Sequence, residues 1–211
     1  MEKKGIIFDM DGTLWDSAES VAKCWDEVVA KEGINRHITT EDIMNVMGKT
    51  MDVIAEIIFP DVTPAERMKL LDKCCDAENA YLRDHGAILY PELEETLSLL
   101  KNHYHLYIVS NCQKGYIEAF LDHYNFWHFF DDIECYGNND LKKGANIRLL
   151  AARNSLTKAV YVGDIQGDYE ASREAGVKFI HASYGFGNVN ADVPVIKNFS
   201  ELPETVMHVL K

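Results

Sequence analysis

Two hydrophobic rhythms divide the chain. Ile6-Ile7-Phe8 is a short unbroken apolar run that predicts a buried strand over Gly5–Phe8, closed by a turn containing Gly12. A helix is expected next, with Asp16 as N-cap and Glu19 completing a capping box, ending near Gly33. The pattern then stays helical to about Asp84. Thr39-Thr40-Glu41-Asp42 and Thr63-Pro64-Ala65-Glu66 mark two further helix starts, the second with proline at the first helical position. After Pro91 short β-branched or aromatic runs take over: His105–Val109, Ile133–Tyr136, Ala159–Val162 and Val177–His181. Helical segments fall beside and between them at Leu93–Lys101, Gly115–His123, Asn146–Arg153 and Tyr169–Ala175. That alternation predicts βαβ units and a parallel sheet. The first strand shares the character of the later ones, so the helical stretch reads as an insertion. The expected fold class is α/β: a parallel-sheet core from residues 1–15 and 86–211, with an all-helical cap at 16–85.

Composition sets limits on function. The chain has 211 residues, 47% hydrophobic and 26% charged, enough apolar material for a packed core. Its 34 acidic against 21 basic residues, net −13, argue against nucleic acid as a partner. A small phosphorylated ligand stays compatible, since local cations and a metal can overrule the global field. The opening apolar run is too short for a signal peptide or a membrane span. Cys24, Cys74, Cys75, Cys112 and Cys135 are an odd set without a Cys-x-x-Cys pair, which suits reduced thiols and a cytoplasmic location. The histidines lack ligand spacing, and Phe126-Trp127-His128-Phe129-Phe130 reads as packing.

The candidate chemistry lies at strand ends. Asp9 and Asp11 follow the first strand, and two carboxylates at i and i+2 beside a buried strand are costly unless a cation or a shared proton relieves them. Ser110-Asn111 follows the strand 105–109, Lys143-Gly144 opens the helix after the next, and Gly163-Asp164 with Asp168 follows the strand 159–162. Singly, these are turn formers, a helix-end cation and an N-cap. Together they gather at the carboxyl edge of an open parallel sheet, where ligands bind. Carboxylates crowded there need a divalent cation, and all-oxygen ligands favour Mg²⁺.

Asp9-Met10-Asp11-Gly12-Thr13-Leu14-Trp15-Asp16-Ser17, then Ser110-Asn111, Lys143 and Gly163-Asp164 with Asp168 resemble the motifs of the haloacid dehalogenase superfamily, in order and spacing and over essentially the whole chain. The helical insertion looks like the cap of its phosphoglycolate phosphatase-like branch, on a Rossmann-like core. Many relatives follow the lysine with proline; here Gly144 follows Lys143 and Lys142 precedes it, so Lys142 remains an alternative for the lysine's role. The loop Gly185-Phe186-Gly187 also resembles the family's turn after the last strand.

The resemblance implies a Mg²⁺-dependent phosphatase acting on a small phosphorylated metabolite. Asp9 would be nucleophile and metal ligand, and Asp11 general acid-base and a metal ligand through its backbone carbonyl. Asp164 would be the third ligand, and Asp168 would support the metal indirectly. Ser110, Asn111 and Lys143 would bind phosphate. The second aspartate, absent in the dehalogenases and alanine in the phosphonatases, points to phosphate esters. Trp15 and Lys49, the latter in the Gly48-Lys49-Thr50 break between cap helices, are the candidate cap contacts to the leaving group, with hinges near Asp84 and Pro91. Alternatives on the same scaffold are a sugar phosphomutase of the β-phosphoglucomutase type and a non-catalytic phosphate-binding regulator. A monomer is expected, with a homodimer as the alternative.

Overall fold

A computed structural model describes residues 2–211. Six strands form one parallel sheet in the order β5-β4-β1-β6-β7-β8: β1 Lys4–Phe8, β4 His105–Ser110, β5 Asp132–Cys135, β6 Lys158–Gly163, β7 Lys178–Ala182 and β8 Val195–Ile196. β1 is central, with β4 on one side and β6 on the other, so the strand order reverses there. Alternate residues feed two apolar layers. Ile6, Phe8, Leu106 and Ile108 face one side; Ile7, Tyr107, Val109 and Tyr161 face the other. The second layer is closed by α8 (Lys143–Arg153) and α9 (Gln166–Ala175) through Ile147, Leu150 and Ala171. The first is closed by α5 (Leu93–Lys101), α6 (Tyr116–Tyr124) and α10 (Leu202–Val209). Burial on both faces explains why these strands read as continuous apolar runs rather than alternating ones.

The insertion is helical: α1 Ala18–Lys31, α2 Thr40–Met44, α3 Met51–Ile58 and α4 Pro64–His85. α1 presents Val21, Ala22, Trp25, Val28 and Val29 as a buried stripe at helical spacing. Thr39 and Asp42 form a reciprocal capping box on α2, and Pro64 occupies the first turn of α4. The two chain passages between sheet and helices pair with each other. β2 (Trp15–Asp16) and β3 (Ile88–Leu89) make an antiparallel ribbon, Trp15 opposite Leu89 and Asp16 opposite Ile88. One apolar cluster runs from the sheet through Trp15, Phe120 and Tyr116 into Trp25, Phe59 and Leu71 of the helical layer.

Several expectations need correction. The N-cap of α1 is Ser17, not Asp16; Asp16 Oδ1 accepts the Ala18 N–H, and the Ser17 hydroxyl is engaged elsewhere. Tyr136 leaves β5 and begins a single helical turn, α7 (Tyr136–Asn139). α9 starts about one turn before the expected Tyr169; α8 opens at Lys143, as the Lys143-Gly144 reading has it, one turn before its helical pattern becomes plain at Asn146. Gly144 and Gly167, weak helix formers near the two starts, weaken the helical pattern there. Gly144 has a positive reason to be there: a Cβ would stand 2.7 Å from Glu174 Oε2 and 3.1 Å from the Ala171 carbonyl, so it allows α8 and α9 to approach. The two-residue strands and α10 left no periodic signal long enough to detect.

Trp15 is fully buried, its indole edge-on to Tyr116 at 5.6 Å and Phe120 at 5.0 Å between ring centroids. It is the bolt between ribbon and core rather than a surface offered to a ligand. Trp15→Ala should destabilise the protein by about 3–5 kcal/mol in urea unfolding, the range for deleting a large buried aromatic. A change under about 1 kcal/mol would contradict that placement.

Candidate active site

Register brings the strand-end residues together. Phe8 is paired with Ile108 on one side and Val162 on the other. Asp9, the next residue, therefore emerges level with the ends of β4 and β6, between Ser110 and Asp164. Its N–H is still held by the Val162 carbonyl at 2.9 Å. The chain then doubles back, with the N–H groups of Thr13 and Leu14 both on the Met10 carbonyl. Gly12 makes this turn possible: its φ is +78°, and a Cβ there would overlap Asp164 Oδ2.

Lys143, the first residue of α8, is 4% exposed and lies between two carboxylates. Its Nζ is 2.9 Å from Asp9 Oδ1 and 2.6 Å from Asp168 Oδ1. Burial pulls its pKa down, but the charges of Asp168 and Asp9 outweigh burial and hold it above the ordinary lysine value. Lys142 caps α8 from outside and is exposed, so position distinguishes the two lysines. Asp168 is saturated. Its second oxygen accepts the N–H groups of Asp164 at 3.0 Å and Ile165 at 3.2 Å. It thereby ties the first turn of α9 to the loop that carries Asp164. Asp164 Oδ2 accepts the Phe186 N–H at 2.8 Å, which gives the Gly185-Phe186-Gly187 loop its contact with the site.

Asp9, Asp164 and Asp168 are all buried and offer oxygens within 4.8 Å of one another. If all three are ionised, one lysine leaves the cluster two charges negative. Burial and then mutual repulsion push the Asp9 and Asp164 carboxyls up from their ordinary range. This donor set fits a hard divalent cation: oxygen ligands only, uncompensated negative charge, and a glycine at the closest backbone approach.

Asp11 points elsewhere. Its Oδ1 accepts the Ser17 hydroxyl at 2.6 Å and the Tyr116 hydroxyl at 2.7 Å. Burial raises its pKa, while these two hydrogen bonds work against the rise. Asp11, Ser110 and Asn111 form the floor of a cavity of about 40 Å³ roofed by the helical layer. Ser110 is buried at the end of β4. Asn111 is engaged with the roof: its Nδ2 donates to the Gly48 carbonyl at 2.9 Å, clasping the loop between α2 and α3, and its Oδ1 is buried without a partner. Lys49 is exposed at the lip of the cavity, and Trp15 does not line it.

The sequence reading missed Ser17, Tyr116 and Glu78. Tyr116 meets Asp11 only across the fold and carries no local signal. Glu78 did carry one. It interrupts the buried stripe Leu71-Cys75-Leu82 of α4 at a position where helical spacing calls for an apolar residue.

Residues 6–182 match the haloacid dehalogenase-like hydrolase family. The chain is similar to the phosphoglycolate phosphatase of Aquifex aeolicus, 28% identical over 196 residues, covering 90% of this chain and 89% of that one. It is also similar to the phosphoglycolate phosphatase of Aliivibrio fischeri, 28% identical over 200 residues, covering 88% and 86%. Among solved structures, CbbY of Rhodobacter sphaeroides, crystallised with xylulose-(1,5)bisphosphate, shares the fold with a TM-score of 0.80 at 20% identity, over 96% of each chain. A haloacid dehalogenase-like family hydrolase of Streptococcus pneumoniae has a TM-score of 0.77 at 21% identity, over 96% of this chain and 98% of that one. No helix among the described residues is long and apolar enough to cross a membrane. With its sheet order, its strand-end carboxylates and a match spanning most of its length, the chain belongs to the haloacid dehalogenase-like hydrolase family.

Proposed function

We propose that the chain is a phosphatase that hydrolyses small phosphomonoesters by transferring the phosphoryl group first to Asp9 and then to water. The observation that carries this reading is the meeting of Asp9, Asp164, Asp168 and Lys143 at one buried point, with Asp11 standing between that point and the cavity. Asp9 and Asp164, with the backbone carbonyl of Asp11, would hold Mg²⁺, and Asp168 would orient the loop that presents Asp164. The cation supplies the positive charge that lets an anionic nucleophile approach a phosphate.

Lys143 favours the ionised form of Asp9 against the burial that raises its pKa, and fixes its direction. A carboxylate oxygen of Asp9 bonds to phosphorus as the bond to the leaving oxygen breaks, and Asp11 passes its proton to that oxygen. Water then attacks phosphorus, Asp11 takes the water's proton, and phosphate leaves with Asp9 restored. Ser110 lies where it can bind a phosphate oxygen, with Asn111 beside it holding Gly48 of the roof. Ser17 and Tyr116 fix Asp11 so that its free edge faces the cavity rather than the lysine. Helices of residues 16–85 act as the cap, and the β2–β3 ribbon is the joint on which it opens.

The cavity, about 40 Å³ and open to solvent beside Lys49, holds on the order of three or four water-sized groups. That supports hydrolysis of a small ester over the phosphomutase alternative, which needs room for a sugar to bind in two orientations.

Asp9→Asn should lower p-nitrophenyl phosphate hydrolysis by roughly 10⁴-fold or more, as loss of a nucleophile does. Undiminished turnover would refute the assignment. Chelation with EDTA should abolish hydrolysis and added Mg²⁺ restore it; activity that survives exhaustive chelation would remove the metal from the reading. Tyr116→Phe deletes one hydrogen bond to the Asp11 carboxylate, so kcat should fall about 10–100-fold with KM little changed. An altered KM with constant kcat would mean that Tyr116 serves binding instead.

A further inference from the structure

The cavity beyond Asp11 contains a group that the phosphatase chemistry does not use. Glu78 sits on α4, 4% exposed, and lines the cavity together with Trp25, Val21, Ile54, Gln113 and Asp11. Its carboxyl meets neutral donors only. The Trp25 indole N–H donates to Oε2 at 2.5 Å, and the Gln113 carboxamide lies beside it. Among the described residues it makes no ion pair. Burial raises its pKa to about 8 against the pull of those two donors, and the nearby charge of Asp11 adds to the rise. Trp25 is itself locked in place, 2% exposed and stacked on Phe59 at 6.1 Å. The carboxyl is therefore held rigidly by its neighbours.

A buried acid without a cation is an expensive substitute for the leucine that the stripe of α4 would accept. Its position in the wall suggests what offsets that cost. The cavity has an apolar lining from Val21, Ile43, Val46 and Ile54, and it holds two carboxyls, Asp11 at its floor and Glu78 in its wall. Lys49 is its sole cation, and it stands at the solvent-exposed lip, where water screens its charge. A leaving group bearing a carboxylate would bring a third carboxyl into this space. At best it would share a proton with Glu78, and one net buried negative charge would stay unpaired. A leaving group with an N–H or O–H donor would instead complete the Glu78 carboxyl, and an ammonium would pair with it outright.

We propose that Glu78 is the specificity residue of this cavity, and that it selects phosphomonoesters whose small leaving group carries a hydrogen-bond donor and no anion, an amino alcohol or a polyol, over those carrying a carboxylate. The proposal rests on the phosphatase reading for its site, but it concerns recognition alone. It predicts a preference opposite to that of an enzyme for phosphoglycolate, whose leaving group carries a carboxylate.

O-phosphoethanolamine and 2-phosphoglycolate form a matched pair, nearly equal in length and opposite in terminal charge. Their dissociation constants should be measured by calorimetry in Mg²⁺ on the Asp9→Asn protein, where turnover does not interfere. O-phosphoethanolamine should bind at least about tenfold more tightly, as expected for one partly screened charge contact. In the Asp9→Asn, Glu78→Gln double variant the preference should fall to within about threefold, because the amide can no longer carry charge. Equal or tighter binding of 2-phosphoglycolate to Asp9→Asn overturns the proposal, whether or not the double variant folds. So does a preference that survives Glu78→Gln. Turnover of p-nitrophenyl phosphate by the unmodified protein is read separately. Its absence counts against the phosphatase chemistry, while the binding ratio still decides the role of Glu78.

Discussion

Placing Lys143 between Asp9 and Asp168 is the constraint on which the rest of the site depends. Three carboxylates buried within 4.8 Å of one another would repel strongly in a medium of low polarity, and the lysine is the one protein cation inside the cluster. Its ammonium must reach the carboxyl edge of the sheet, so α8 has to begin at Lys143 and point its first turn there. Gly144 then lets α8 lie close to α9. α9 in turn delivers Asp168, which closes the circuit by gripping the Asp164 loop through two backbone N–H groups. A single lysine in two ion pairs thus fixes two helices and a loop relative to the central strand.

The site divides into two compartments with different physics. On one side of Asp11 lie charge, a lysine and the strand ends, suited to a cation and a phosphate. On the other lies a largely apolar space roofed by the helical layer, suited to a leaving group. Asp11 belongs to both because Ser17 and Tyr116 turn its carboxyl away from the charged cluster. The roof is held by specific contacts. The Asn111–Gly48 hydrogen bond joins the end of β4 to the loop between α2 and α3, and the fully buried Trp15 packs the β2–β3 ribbon into the core.

The family match over residues 6–182 carries the fold and the reaction type, while the choice of leaving group is left to the residues that line the space beyond Asp11. Catalytic groups are held by the sheet, which every member must keep. The residues that roof and wall the space beyond Asp11 come from the helical layer, where any side chain that keeps the stripe buried is physically acceptable. Glu78 shows how far that freedom extends: a carboxyl accepted in an apolar stripe, stabilised by one indole N–H and an amide.

What the sequence determined by itself was local or periodic. Unbroken apolar runs marked the buried strands, helical spacing and caps marked the insertion, and the strand-end positions of Asp9, Ser110 and Asp164 followed from where those runs stopped. The helix start at Gln166 was obscured by glycine, and the strands β2, β3 and β8 were too short to leave a period. Only the tertiary structure decided that Trp15 packs inward, that Asn111 holds the roof, and that Ser17 and Tyr116 hold Asp11. These are meetings of residues as many as 105 positions apart, set by strand register and helix packing. A side chain's type limits what it can bond to, but which partner it meets depends on the folded chain around it.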